Sequence, residues 1–79
     1  MFTEELEFFV TNQNILVEQY GGKFLVIKGK TIIGVYSSAL EAYFNTQKTH
    51  KLGTFMIQPC EPGPDAYTVT IASANLINL

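Results

Sequence analysis

The chain has no arginine, one aspartate (Asp65), one histidine (His50) and one cysteine (Cys60). A single cysteine excludes an internal disulfide, and one Cys with one His cannot assemble a zinc ligand set. Five lysines stand against seven acids, a net charge of −2, so no cationic excess is left for a phosphate backbone. Charged residues amount to only 15%, against about 25% in an ordinary soluble domain. No apolar run approaches the roughly 18 residues of a membrane span. Glu4, Glu5 and Glu7 stand where a signal peptide would carry its basic segment. These absences lead to the expectation of a small soluble, cytoplasmic domain with no membrane partner. Hydrophobic residues reach 47% in 79 residues, which excludes an extended disordered chain and allows one domain, 1–79.

Residues 3–20 read as a helix. Leu6, Phe9, Val10, Leu16, Val17 and Tyr20 recur at three- and four-residue spacing, with Gln13 the polar exception in the stripe. Thr3 is the expected N-cap, Thr11-Asn12 is the expected place for a bend, and Gly21 is expected to stop the helix in a left-handed conformation. Residues 23–36 form two β-rich runs around Gly29-Lys30, a hairpin with a type II′ turn or, with Lys28-Gly29 as the loop, a type I′ turn. Phe24-Leu25-Val26-Ile27 lacks alternation, which places that strand centrally, buried on both faces. Ser38-Ala39-Leu40-Glu41 is a capping box opening a helix over 38–52, with Ala39, Leu40, Tyr43 and Phe44 inward. Strands follow at 54–58 and 66–72, separated by Glu61-Pro-Gly-Pro-Asp65, which must be a turn or loop. The tail 73–79 is uncharged and apolar. The expected fold is α+β, in the order α-β-β-α-β-β, with a four-stranded, mostly antiparallel sheet of order 2-1-3-4 covered by two helices. The sequence does not decide whether the helices share a face.

The stretch Tyr20-Gly21-Gly22-Lys23-Phe24-Leu25-Val26-Ile27 is followed by a tight turn, Ile32-Ile33-Gly34-Val35-Tyr36, and a helix entered through Ser38-Ala39-Leu40-Glu41-Ala42-Tyr43. This pattern resembles a family of small bacterial domains of unknown function, with Tyr-x-Gly-Lys-aromatic-aliphatic-aliphatic-Ile before the turn. The resemblance covers most of the chain up to Ile71. It implies a fold and supplies no chemistry.

Catalytic and ligand motifs fare poorly. Gly29-Lys30-Thr31 ends like a phosphate loop, but Phe24 stands where the first glycine belongs, and the tripeptide joins two strands rather than a strand and a helix. His50 and Cys60 are the only nucleophile and base pair on offer. His50 suits a helix C-terminus and Cys60 a small apolar position, so catalysis ranks as the less favoured reading. Asp65 is followed by Ala66-Tyr67 and lacks the turn of an aspartic protease. Glu4, Glu5, Glu7 and Glu18 are most simply a solvated helix face. No catalytic, cofactor or metal residue is therefore assigned, and no small-molecule substrate.

Two binding readings remain. Lys23, Lys28 and Lys30 near Phe24 and Tyr36 offer a weak nucleic-acid surface as the alternative. The favoured reading is a non-enzymatic protein-interaction or regulatory, accessory module that binds a protein partner or itself as a homodimer. Aromatic residues at 13% with so few charges exceed what one small core hides. The expected surface is Phe8, Ile15, Leu25, Ile27, Leu76 and Ile77.

Overall fold

In the computed structural model, which describes residues 2–68 and 71–72, helix α1 runs unbroken over Thr3–Tyr20. Phe2, not Thr3, holds the cap position and no side chain caps it; Glu4 and Glu5 complement the helix dipole instead. The helix continues through the expected break at Thr11-Asn12, where Asn12 caps no second helix and instead donates Nδ2 to the Phe8 carbonyl (2.9 Å). Gly21 ends the helix with φ −52°, and the left-handed residue is Gly22, at φ 86°. That conformation lets the Gly22 N–H reach the Cys60 carbonyl (2.9 Å) while Cys60 N–H donates to Lys23 (2.8 Å). The helix exit is thus tied directly to the sheet.

Strand β1, Phe24–Lys28, pairs antiparallel with β2, Thr31–Tyr36, on one side and with β3, Met56–Pro59, on the other. Lys28 faces Thr31, so Gly29-Lys30 is the loop, and only Gly29 has positive φ (63°), the sign pattern of type II′. The central placement of β1 follows from its uninterrupted apolar run. Leu25, Val26 and Ile27 are fully buried. The register between β1 and β2 slips at Val26/Ile27, leaving Ile33 without a partner. This bulge turns Ile33 to the same side as Gly34, so Ile32 and Ile33 serve opposite cores.

The two helices lie on opposite faces. Phe9 and Leu16 of α1 pack on Leu25, Ile27, Met56 and Cys60. Ala42 of helix α2, Ala39–Thr46, packs with Val26, Phe55 and Ile57. Period-two alternation in β1 and β3 divides their side chains between the two layers.

Three expectations need correction here. The second helix ends at Thr46 rather than 52, because Thr49 and His50 fold back to donate their N–H groups to the Thr46 carbonyl (3.1 and 2.9 Å). The third strand starts at Met56 rather than 54, since Thr54 closes a turn onto Lys51. The strand expected over 66–72 begins as a helical turn, Asp65–Thr68. Pro64 and the acidic Asp65 are helix-starting chemistry that the alternation of Tyr67, Val69 and Ile71 hid. The buried Gln58 donates Nε2 to the Ala66 carbonyl (2.6 Å) and holds that turn against β3. The tail 73–79 lies outside the described residues.

Candidate interaction surface

The outer face of α2 is built from its cap upward. Ser38 Oγ accepts from the Glu41 N–H (3.1 Å), and Glu41 Oε1 accepts from Ser37 N–H (3.0 Å), one residue before the expected partner. Asn45 Nδ2 adds a bond to the Glu41 carbonyl (2.8 Å). With this frame fixed, Ala42 and Thr46 point into the core, and Ala39 and Tyr43 are half-buried. Leu40 and Phe44, one turn apart, therefore project away from the sheet with 60% and 53% of their surface exposed. Both were expected inward. Phe44 is braced by Tyr43, whose ring stands edge-on to it at 5.3 Å and 67°. Ala42 packs on Val26, Phe55 and Ile57 with Tyr43 beside it, which turns Leu40 and Phe44 to the opposite side of the helix.

The residues expected to form the surface scatter. Leu25 and Ile27 are fully buried beneath α1 and are not available on the folded chain. Phe8 is half-buried against the same core, while Ile15 is exposed (59%) on the flank of α1. Val10, expected in the inward stripe, is exposed too. Leu76 and Ile77 fall outside the described residues. No periodicity signal would have found Leu40 and Phe44, because both the small and the large faces of α2 are apolar.

The chemistry-bearing residues do not converge. Cys60 is fully buried among apolar side chains; burial, then the neighbouring Glu61 charge, pushes its thiol pKa up. The reactive thiolate is thereby disfavoured. His50 Nδ1 lies 2.9 Å from Thr49 Oγ1, a local contact in the loop after α2. Among the described residues no group of three His, Cys, Asp or Glu side chains is placed to hold a metal. A shallow cleft of about 160 Å3 between α1 and the hairpin is lined by Glu7, Phe8, Thr11, Asn12 and Lys30.

Lys23, Lys28 and Lys30 are exposed but divided between the two ends of β1. At the hairpin tip, Glu5 Oε2 accepts the Gly29 N–H (2.7 Å), and Glu4 lies beside the same glycine. Carboxylates of α1 therefore stand among the tip lysines and offset their field. Among the described residues no helix is long and apolar enough to cross a membrane.

Compared with known proteins, the chain matches no family model, no curated protein and no solved structure.

Proposed function

We propose that this protein is a non-enzymatic interaction module, regulatory or accessory in role, that docks a protein partner on the outer face of α2. The observation that carries the reading is the Leu40–Phe44 pair, two large apolar side chains held in water by a helix whose opposite face is already satisfied. Exposed apolar groups of this size in adjacent turns are anchors of the kind partner helices and strands bury. The buried, protonated Cys60 and the isolated His50 support the non-enzymatic half of the reading. A lone free thiol in the core suits a reducing, cytoplasmic setting. The intermingled Glu4 and Glu5 argue against the lysine hairpin as a nucleic-acid surface. The proposal includes a fourth strand, β4 at Ile71–Ala72, giving sheet order 2-1-3-4; antiparallel pairing of Met56 with Ala72 and Ile57 with Ile71 supports it.

The test is affinity capture from the native cell lysate with nuclease treatment and mass-spectrometric identification. The wild-type chain is expected to retain a protein that Leu40→Glu/Phe44→Glu loses and that replacing Lys23, Lys28 and Lys30 with Gln keeps. Recovery of nucleic acid alone, or a partner indifferent to the double substitution, overturns the reading.

A further inference from the structure

Charge is divided unevenly between the two faces of the sheet. Glu4, Glu5, Glu7 and Glu18 lie on α1, which carries no lysine, and Glu61 and Asp65 lie in the loop and turn packed against it. The α2 layer holds one acid, Glu41, whose Oε1 is committed to the Ser37 N–H at the N-terminal end of the helix. At the other end stand Lys48 and Lys51, both exposed and, among the described residues, in no ion pair. Gln47 N–H donates to the Tyr43 carbonyl (3.1 Å) and His50 N–H to the Thr46 carbonyl (2.9 Å). These bonds carry the chain through one more helical turn, so Lys48 stands about a turn beyond Phe44. The outer side of α2 therefore runs from two apolar anchors to two cations. The α1 acids do not offset this pair as they offset the hairpin tip, because the sheet and both cores stand between. The molecule is 22 Å across at its narrowest, and exposed charges further apart than about 8 Å are largely screened at physiological salt.

We infer that the partner docked on α2 is an acidic amphipathic helix lying antiparallel to it. Two apolar side chains three or four residues apart on that helix cover Leu40 and Phe44, and carboxylates in its first turn meet Lys48 and Lys51. The direction follows from charge. Carboxylates are favoured in the first turn of a helix, whose positive dipole end then stands beside the negative C-terminal end of α2. The reverse direction sets those carboxylates against Glu41. An anionic membrane fits the same side poorly. Lipid-binding basic clusters hold about four to eight cations, and here two lysines stand on a chain of net charge −2. The inference rests on the docking reading above and adds to it the chemistry and direction of the partner.

A phage library of helix-forming peptides, with a fixed apolar pair and randomised flanks, is panned against the full chain to test it. The enriched peptides are expected to carry Asp and Glu on the N-terminal side of the apolar pair. The best of them, synthesised and followed by fluorescence anisotropy, should bind Lys48→Gln/Lys51→Gln about five-fold more weakly at physiological salt, the sum of two exposed ion pairs. In about 1 M salt the two chains should bind it alike. Lys48→Arg/Lys51→Arg should restore wild-type affinity, and Leu40→Glu/Phe44→Glu should abolish binding at both salts. Far-UV circular dichroism checks that each variant is folded. Enriched flanks that are neutral or basic overturn the inference, as does a library from which nothing is enriched. Acids enriched on the C-terminal side overturn the direction. Phosphatidylserine vesicles that sediment the wild-type chain but not the lysine variant overturn it in favour of a membrane. A peptide lost with Leu40 and Phe44 but indifferent to both lysines leaves the docking reading standing and removes this inference alone. A peptide indifferent to Leu40 and Phe44 removes the docking reading as well.

Discussion

At the scale of single residues, Cys60 shows how burial converts a reactive side chain into packing. Its N–H and C=O continue the ladder to Lys23 and Gly22, and its thiol lies in the core beside Met56 and Leu25. A thiol pKa raised in the folded state favours the protonated form there. The corresponding stability is complete below the unfolded thiol's value, about 8.5, and is lost as pH rises towards the folded one. The melting temperature is therefore expected to fall across the alkaline side of that value. Cys60→Ala should flatten the fall while lowering stability at neutral pH by about 1–2 kcal/mol for the lost volume. Native Cys60 should also resist an aromatic disulfide reagent until denaturant is added. The sequence already showed Cys60 as a small apolar residue after a strand. Nothing in it showed Gln58, a polar side chain fully buried to fix the turn at Ala66. Gln58→Leu leaves that carbonyl without its Nε2 donor, and thermal melts should register a cost of about 1–3 kcal/mol.

At the scale of elements, legibility followed the strength of the local signal. The central strand was readable because Phe24 to Ile27 offers no polar face, and the hairpin because Gly29 sits where positive φ is required. Helix α1 was readable from its stripe, though Val10 lies on the stripe's exposed margin and Gln13 has a use that periodicity cannot supply. Its Nε2 lies 2.8 Å from both the Glu61 and Gly63 carbonyls, pinning the proline-rich loop. The candidate surface was not legible. Choosing the inward side of α2 needs the sheet residues that Ala42 meets, Val26, Phe55 and Ile57, which periodicity within the helix does not supply. This choice has a measurable consequence. Leu40→Glu and Phe44→Glu should change stability by no more than about 0.5 kcal/mol each, as surface substitutions do. Ala42→Leu forces three carbon atoms into a filled contact and should cost about 1–3 kcal/mol. Urea titrations that reverse this order would place the large residues inward after all.

At the scale of the whole molecule, one strand carries two cores. Leu25 and Ile27 meet Phe9 and Leu16 under α1, and Val26 between them meets Phe55 and Ala42 under α2. Neither helix belongs to the other's core, yet the two layers hang on alternate residues of the same strand, Leu25 and Ile27 for one and Val26 for the other. Further ties cross the elements: Glu5 of α1 holds the hairpin tip at Gly29, and Gln13 holds the loop near Gly63. The two layers are therefore expected to unfold as one. By the usual ~0.05–0.15 kcal/mol per residue, a chain of this length has about 4–12 kcal/mol of stability in total. Phe9→Ala and Phe55→Ala each remove a fully buried aromatic ring from a different face, at about 3–5 kcal/mol. Either loss takes a large share of the whole. The expected result is a single urea transition in each variant, with far-UV dichroism and tyrosine fluorescence coincident, shifted to lower midpoint with the slope unchanged. A variant that lost only the signal of its own face, leaving the other layer to melt later, would show that β1 does not couple them. Coupling matters for the docking surface as well. Leu40 and Phe44 stay outward only while Ala42 is held against Val26, so damage at Phe9, across the sheet, should weaken partner capture in proportion to the unfolded fraction and no further.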